Sequence, residues 1–410
     1  MFIPSDDASL PHSGPALCLA NAGIRAGGRR DIFLRDGRIQ AITLPGTQRD
    51  DAPRLDVEGA LVTPAFVDGH IHLDKTHMGM PLLPHVKGAG VRQRIAAERA
   101  LRSGLAPVRE RARALIRRLV ANGTTQTRSH VDIDGDIGLA HLEALLELRR
   151  DMAGLIDIQL VAFPQSGIMG EPGMPDLLDQ ALAAGADLIG GLDPQGIDND
   201  VRGHLDVVFG LAGKHGKGVD IHLHDGGEAG GVELCDIAAR TLAMGMQGKV
   251  VVSHAFALGM LDERSFATTA DALARAGVAI MTSSPPPVPV PPVRRLMEHG
   301  VAVFAASDNI RDCWSPFGNG DMLDRAAIVA TRQQLFTPED IALAFDMTGV
   351  IPRRLLGFTG CGFDIGDRAD LVVLDASDIV EAVVAPKPRR LVLRAGEIIA
   401  RNGELVSGIG

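Results

Sequence analysis

The stretch Val67-Asp-Gly-His-Ile-His-Leu-Asp74 decides the fold, because it reads as a buried strand that ends in two histidines. Residues two apart on a strand point to the same side, so His70 and His72 present their imidazoles to one volume. Two imidazoles at a strand end can bind one metal ion together. The stretch therefore predicts a sheet whose strand ends carry the chemistry.

Apolar, β-rich runs recur along the middle of the chain, and helical stretches separate them. The runs are Leu61–Leu73, Thr124–Ile133, Ile156–Phe163, Leu188–Leu192, Val219–His224, Val250–Ala255, Val278–Thr282 and Val301–Ala306. The helical stretches are Arg92–Ala121, Leu139–Met152, a shorter one after Met174, Val201–Lys214 and Cys235–Met244. Eight strands alternating with helices predict an α/β fold with a (β/α)8 TIM-type barrel. An open doubly wound sheet fits the same pattern, although no GxGxxG motif follows an early strand.

Both ends of the chain read as short strands joined by turns. The expected strands are Ala16–Ala20, Asp31–Leu34, Ile39–Ile42, Ala369–Leu374, Arg390–Arg394 and Glu397–Ala400, with Asp36–Gly37 as a hairpin turn. We expect the two ends to pair in a small β-sandwich beside the barrel. The predicted domains are residues 1–62 and 359–410 for the two parts of the sandwich, and residues 63–358 for the barrel.

Composition narrows the function classes. The 410 residues carry a net charge of −10 without a basic stretch, which argues against nucleic acid or an anionic membrane as a partner. Four scattered cysteines form no CxxC pair and no disulfide framework, as is typical of a reducing compartment. Residues 1–14 lack the features of a signal peptide, and no apolar run reaches about 18 residues. We therefore expect a cytoplasmic enzyme that acts on a small molecule; a homo-oligomer is compatible with such a barrel.

Further histidines and one aspartate fall at the ends of later strands. His222 and His224 end the fifth strand, His254 ends the sixth, and Asp308 follows the eighth. Because the carboxyl ends of barrel strands converge on one mouth, these side chains should meet the first histidine pair. Three histidines and an aspartate suit one Zn2+ or Fe2+ ion rather than Mg2+ or Ca2+.

Each of these residues has a predicted role in hydrolysis. Asp308 can bind the metal and take a proton from the attacking water, and His254 can orient that water. His224 and Asp225 are both candidates for protonating the leaving amine. Two-metal barrels usually bridge their ions with a lysine on the fourth strand, but no lysine occurs between Lys87 and Lys214. We therefore expect a single metal ion.

Taken together, these positions resemble the amidohydrolase superfamily. The resemblance covers the HxH pair, the later strand-end histidines and Asp308, and Gly366–Asp375 is similar to the return of that family's chain into its accessory sandwich. It implies that His70, His72, His222 and Asp308 bind the metal and that His254 lies near it. Such enzymes hydrolyse carbon–nitrogen bonds.

Within the superfamily, the chain is most similar to the cytosine deaminase-like branch. Val161–Gly167 resembles the segment whose glutamine, here Gln165, pairs with the amide edge of the substrate. Asp157–Phe163, Ile221–Asp225 and Ser307–Asp321 resemble aminotriazine-hydrolysing members, which implies that Trp314 lines the ring pocket. Asp225 stands where the branch has a glutamate, and Asn309 where it has a second substrate-binding aspartate. These departures favour an amino- or alkylamino-substituted triazine or pyrimidine over cytosine.

Two other functions remain open at this stage. One is a hydrolase of a cyclic amide or imide, although such enzymes commonly use two metals. The other is a non-catalytic scaffold relative, although such proteins usually lose metal ligands. The zinc deaminases with HxE and PCxxC motifs are excluded, since the chain has neither a PC pair nor CxxC.

Overall fold

The computed structural model describes residues 16–47, 51–81 and 90–408. The strands before the barrel are β1 Leu17–Gly23, β2 Arg29–Arg35, β3 Arg38–Thr43, β4 Arg54–Asp56 and β5 Leu61–Pro64. The barrel strands are β6 Phe66–Ile71, β7 Thr124–Asp132, β8 Asp157–Phe163, β9 Leu188–Leu192, β10 Gly218–Leu223, β11 Val250–His254, β12 Ala279–Thr282 and β13 Val303–Ala305. The strands after it are β14 Leu371–Leu374, β15 Leu391–Arg394, β16 Glu397–Arg401 and β17 Glu404–Leu405.

Helices connect the barrel strands and continue beyond them. They are α1 Val91–Leu101, α2 Val108–Ala121, α3 Ala140–Asp151, α4 Met174–Ala184, α5 Val201–His215, α6 Gly227–Ala243, α7 Glu263–Ala276, α8 Val293–Glu298, α9 Met322–Gln333, α10 Pro338–Asp346, α11 Val350–Leu355 and α12 Ile379–Val384. Helix α7 shows how the sequence sets such bounds. The Asp262 side chain accepts from the backbone N–H of Ser265 at 2.8 Å, and Gly277 ends the helix with a φ of 59°. An aspartate N-cap and a left-handed glycine are preferred at these positions.

Strands β6 to β13 form the predicted barrel. Each strand pairs in parallel with the next one along the chain, whereas a doubly wound sheet would reverse its strand order. The ring is completed by one bridge, between Ile71 and Asp308, and the Asp308 amide donates to the His70 carbonyl at 2.8 Å. The prediction of a (β/α)8 barrel is confirmed, and the open-sheet alternative is excluded.

Most observed limits differ from the predicted ones by a few residues, and three segments differ in kind or by more. The expected helix Arg92–Ala121 is wrong as a single element, because Gly104 and Pro107 separate α1 from α2. The expected strand Leu61–Leu73 divides at Ala65 into β5, which belongs to the terminal sheet, and β6. Helix α6 begins eight residues before the predicted Cys235. Glycines in its first turns weaken the helical signal there.

The two chain ends pair with each other, as predicted. Strands β1–β5 and β14–β17 form one hydrogen-bonded sheet, in which β5 and β14 run antiparallel at the junction. Asp36 and Gly37, with φ of 50° and 75°, form the expected turn between β2 and β3. Apolar side chains from both ends, among them Leu19, Leu371 and Leu393, pack in a shared core. The domain limits at residues 62 and 358 stay predictions.

Ion pairs that involve the buried side chains of Arg394 and Asp370 join this sheet to the barrel. The Arg394 guanidinium binds Asp157 at the start of β8 at 2.5 Å and Asp370 beside β14 at 2.7 Å. Arg368 binds the same two carboxylates, so these acidic groups are neutralised by arginines. Among the described residues, no helix has both the length and the apolar character needed to cross a membrane. Residues 1–14, on which the signal-peptide prediction rests, lie outside the described residues.

Candidate active site

Four of the predicted residues converge at the mouth of the barrel. His70 lies on β6, His72 directly follows it, His222 lies on β10 and Asp308 follows β13. One nitrogen or oxygen atom of each lies within 4.8 Å of the corresponding atoms of the other three. The three imidazoles are buried, and Asp308 has a left-handed backbone with a φ of 63°. Strained backbone in a buried polar cluster is a common mark of a functional site.

The spacing of these atoms fits a single tetrahedral ion. The His72 and His222 Nε2 atoms lie 3.3 Å apart, and Asp308 Oδ1 lies 3.6 Å from His70 Nε2 and 3.5 Å from His72 Nε2. Four ligands bound at about 2.1 Å with tetrahedral angles would lie about 3.4 Å apart. His70 Nε2 is buried and makes no hydrogen bond to the described residues. The four side chains therefore could hold one metal ion.

The protonation states also suit a cation. Burial holds the pKa values of His72 and His222 below the usual value, so both imidazoles are neutral and can bind through a lone pair. Burial raises the pKa of Asp308, but the neighbouring imidazoles of His254, His70 and His72 outweigh it and keep that pKa well below its ordinary value. His72 and His222 thus offer neutral imidazoles, and Asp308 offers one carboxylate charge.

His254 and His224 form a second layer beside these four residues. His254 Nε2 lies 4.0 Å from Asp308 Oδ2, and its ring stacks on His224 with centroids 4.6 Å apart. His224 Nδ1 lies 3.0 Å from the Asp193 carboxylate. Burial lowers the pKa of His224, but Asp193 outweighs burial and the net pKa is raised. A chain of side chains therefore runs from Asp308 through His254 to a carboxylate-held imidazole.

Asp225, the second candidate for protonating the leaving amine, makes a different set of contacts. Its carboxylate accepts a 2.9 Å hydrogen bond from the Gly196 amide and faces Glu233 on α6. Burial and then Asp193 raise the pKa of Asp225, while burial and Asp225 raise that of Glu233 to about 8. Asp225 thus belongs to an acidic cluster whose loop contacts hold it in place.

The predicted substrate-binding residues lie around the same mouth. Gln165 is buried after β8, where its amide contacts the Lys75 ammonium and donates to Glu98 at 2.8 Å. Trp314 Nε1 donates to Glu98 at 2.6 Å, so the two predicted contacts share one carboxylate. Asn309 Nδ2 donates to Asp312 at 2.7 Å.

An apolar wall links these residues to the histidines. The Phe163 ring stacks on His222 with centroids 4.3 Å apart and an interplanar angle of 28°. Phe163 belongs to a small apolar cluster with Ile95, Leu192 and Ile197, and Trp314 packs against this cluster. His222, Phe163 with its apolar cluster, and Trp314 therefore form one continuous set of contacts at the mouth of the barrel.

Sequence reasoning missed several residues of this site. Lys75 directly follows the quoted stretch, and His130 at the end of β7 lies 4.1 Å from His70 between ring centroids. A single histidine on a strand is a weak signal, although its position near the strand end would have indicated that His130 lies at the mouth of the barrel. Asp193 follows β9 in the same way. Glu98 gave no signal, because α1 is rich in charged residues and shows no clear apolar face.

Comparisons with known proteins agree with this geometry. The family model described as "Amidohydrolase family" matches residues 55–400. N-isopropylammelide isopropyl amidohydrolase of Pseudomonas sp. (strain ADP) is 34% identical over 395 residues, which cover 92% of this chain and 95% of that protein. N-isopropylammelide isopropylaminohydrolase of Burkholderia multivorans has a solved structure with a TM-score of 0.92 and 42% identity, covering 96% of this chain and 100% of that one.

A third relative comes from the cytosine deaminase side of the family. 5-Methylcytosine deaminase of Klebsiella pneumoniae, liganded with phosphonocytosine, superposes with a TM-score of 0.85 and 28% identity, covering 94% of this chain and 98% of that one. The predicted similarity to aminotriazine-hydrolysing and cytosine deaminase-like enzymes is thereby confirmed. The chain belongs to the amidohydrolase family, and it is a hydrolase of carbon–nitrogen bonds.

Proposed function

We propose that this chain uses one divalent metal ion to remove an exocyclic amine or alkylamine from a small nitrogen heterocycle, with an N-alkylated aminotriazine as the first candidate. The observation that carries this proposal is the convergence of His70, His72, His222 and Asp308 on one ion-sized volume. The relatives named for N-isopropylammelide support the triazine, and the one named for 5-methylcytosine supports a pyrimidine as second choice.

We assign the four converging residues as the ligands of a single Zn2+ or Fe2+ ion. When bound, such an ion supplies a Lewis acid that lowers the pKa of water and so provides a nucleophile at neutral pH. A mononuclear site is favoured because no lysine lies between Lys87 and Lys214, a span that includes β9, the fourth strand of the barrel. Imidazole ligands fit zinc and iron about equally well, so metal analysis must separate them.

The other side chains of the site handle protons. Asp308 stays ionised and accepts a proton from water, while His254, whose Nε2 lies 4.0 Å from Asp308 Oδ2, orients that water. The water oxygen bonds to the ring carbon, the exocyclic C–N bond breaks, and the amine leaves after it gains a proton. His224 is favoured as the donor of this proton because it stacks on His254 and is held by Asp193. Asp225 is the alternative, although Gly196 and Glu233 engage it.

Gln165, Trp314 and Asn309 are proposed to bind the heterocycle. Gln165 pairs with an amide edge, Trp314 covers a ring face, and Asn309 contacts the ring edge near Asp308. The continuous contacts from His222 through Phe163 to Trp314 favour a flat ligand, because aromatic rings stack on flat surfaces. The cytoplasm is the proposed compartment, and a homo-oligomer is compatible with a barrel of this type.

A substrate screen with metal-reconstituted protein tests the proposal. Cytosine, isocytosine, 5-methylcytosine, creatinine and N-alkylammelides are incubated with the zinc and iron forms, and products are identified by mass spectrometry. Release of ammonia or an alkylamine with a closed ring is expected, and the chelator-treated protein is the control. A ring-opened product would instead establish a cyclic amide hydrolase. Metal content below roughly 0.2 equivalents without recovery would establish a scaffold, since a catalytic site needs its ion bound.

A further inference from the structure

Glu98 joins two side chains that come from distant parts of the chain. Its Oε2 atom accepts from Trp314 Nε1 at 2.6 Å and from Gln165 Nε2 at 2.8 Å. Gln165 follows β8, Trp314 lies in the loop after β13, and Glu98 lies on α1. Glu98 is only 6% exposed, so its carboxylate is fixed by these partners rather than by water. One buried oxygen thus sets the positions of both side chains.

Lys75 provides the positive charge that compensates for the burial of the Glu98 carboxylate. Its ammonium lies 3.1 Å from Glu98 Oε1 and 2.6 Å from Asp132 Oδ1, and it also contacts Gln165 Oε1. Burial lowers the pKa of Lys75, but Asp132, Glu98 and Asp74 outweigh it and raise the pKa above its ordinary value. The three protons of the ammonium are used by these three partners. Lys75 is therefore a buried counter-ion with no donor left for a ligand.

This arrangement fixes which way the Gln165 amide points. Its carbonyl oxygen faces the Lys75 ammonium and its NH2 group faces the Glu98 carboxylate. Rotation of the amide by half a turn would place NH2 against a cation and the carbonyl against an anion, and both contacts would be repulsive. One amide N–H and one carbonyl lone pair remain for a ligand. Together they match a ring edge that offers an acceptor beside a donor.

The same carboxylate fixes the plane of the indole. Because Trp314 Nε1 is tied to Glu98 while its ring packs against the cluster with Phe163, the indole is held at both its polar and its apolar side. Phe163 in turn stacks on His222. The rigid wall therefore continues directly to one of the proposed metal ligands.

We propose that Glu98, neutralised by Lys75, is a specificity-determining positioning residue that orients Gln165 and Trp314 toward a flat heterocycle with an amide-like edge. It acts through these two side chains and does not itself contact the reacting atoms. The inference rests on the proposed function for its ligand class, but the Glu98 contacts can be tested without any substrate.

The chain offers a direct spectroscopic test. Trp314 is the only tryptophan and the chain has no tyrosine, so intrinsic tryptophan fluorescence and the tryptophan band in near-UV circular dichroism both report on this residue. In Glu98→Gln, the loss of the anionic acceptor should shift the Trp314 emission and weaken its dichroic band. The metal content should equal that of wild type. Glu110→Gln, an exposed carboxylate on α2, is the matched control and should change neither signal.

Kinetics supply the second readout, on the best substrate from the screen. Glu98→Gln should raise KM at least about tenfold, a loss of about 1.4 kcal/mol in binding, while kcat stays within about threefold. Glu98→Asp keeps the charge but shortens the reach, and it should recover part of the KM loss.

Each contrary outcome has a defined meaning. Unchanged Trp314 emission and unchanged KM in Glu98→Gln would overturn the inference. Loss of metal, or a fall in kcat that matches the fall in kcat/KM, would show that Glu98 supports the whole site and would overturn it too. If wild type hydrolyses no heterocycle, the proposed function fails, and an unshifted Trp314 emission in the metal-loaded variant would then still refute the Glu98 contact separately.

Discussion

His70 Nδ1 lies 2.9 Å from the Ser253 hydroxyl, and that hydroxyl donates to Asp220 Oδ1 at 2.8 Å. Because the hydroxyl proton is committed to Asp220, Ser253 must accept the proton of His70 Nδ1. The Nε2 atom of His70 is then the unprotonated nitrogen, and it is the atom that faces Asp308. Arg128, 2.9 Å from Asp220, keeps that carboxylate in place. Outer partners of this kind fix the tautomer of a metal-binding histidine.

Ser253→Ala should therefore weaken metal binding about tenfold to a hundredfold while the fold is retained. The Kd for zinc is measured by competition with a chromophoric chelator. Thr268→Ala removes an exposed hydroxyl from α7 and serves as the control. If the zinc Kd of Ser253→Ala is within twofold of wild type, Ser253 does not prepare His70 for metal binding.

Asp308→Asn should lower kcat/KM by at least about a thousandfold, because the amide can neither carry the charge nor accept the proton. Metal content separates the two roles: retained metal indicates that the base was lost, and absent metal indicates that a ligand was lost. Asp206→Asn, an exposed aspartate on α5, should retain full activity. Residual activity in Asp308→Asn above roughly a tenth of wild type would be incompatible with either role.

Gln165→Ala should impair substrate recognition more than metal binding. The expected result is an increase in KM of at least about tenfold with an unchanged metal content, since the variant loses contacts made with the ground state as well as the transition state. Gln247→Ala, at an exposed position before β11, is the control. Loss of metal from the Gln165 variant would show that this residue is structural.

Removal of the metal should abolish turnover and lower thermal stability together. A ligand present at a hundred times its Kd stabilises the folded state by about 2.7 kcal/mol, so chelation should lower the Tm by a few degrees in a protein of this size. Zinc or iron should restore both properties, and calorimetry with an activity assay measures them in parallel. Full activity after exhaustive chelation would contradict a metal-dependent mechanism.

Arg394→Met should destabilise the protein by about 1.5–3 kcal/mol, because it removes a charge-assisted hydrogen bond from the buried Asp370, which Arg368 still neutralises. Arg25→Met also removes an ion pair between the terminal sheet and the barrel, but Arg25 is 53% exposed, so the expected cost is below about 1 kcal/mol. Urea denaturation of the two variants measures the difference. Equal effects would show that burial does not determine the strength of these contacts.

The same network predicts how stability depends on pH. Burial raises the pKa of Asp157, but Arg394 and Arg368 outweigh it, so the folded-state pKa is lowered. This contribution is present above the unfolded carboxyl pKa of about 3.9 and is lost as the pH falls through the lower folded value. Arg394→Met should therefore show a shallower loss of stability on acidification than wild type. If the loss of stability at acid pH is the same in Arg394→Met as in wild type, Asp157 does not contribute to it.

The barrel and the converging residues could be predicted because both depend on local pattern. Alternation of apolar runs with helical stretches gives the strand count, and a histidine or aspartate at a strand end is placed at the mouth by the fold itself. His70, His72, His222 and Asp308 meet for this reason. Their role as metal ligands stays a proposal that the chemistry of the donor set supports.

The rest of the site depends on contacts between distant segments, which no local pattern carries. Glu98 is one of several charged residues on α1, and only packing distinguishes it from those that face water. Lys75 looks like an ordinary surface lysine until Glu98, Asp132 and Gln165 surround it. The break between α1 and α2 was missed because charged, helix-favouring residues continue on both sides of Gly104.

The barrel is joined at one place by a single backbone bridge, between Ile71 and Asp308, where every other neighbouring pair of strands shares a ladder. His70 and His72 stand on one side of this seam and Asp308 on the other. An ion shared among them would tie the first strand to the last across the weakest point of the ring. Amide exchange at residues 303–308 would then depend on metal occupancy, and the ring would come apart there first in the metal-free chain.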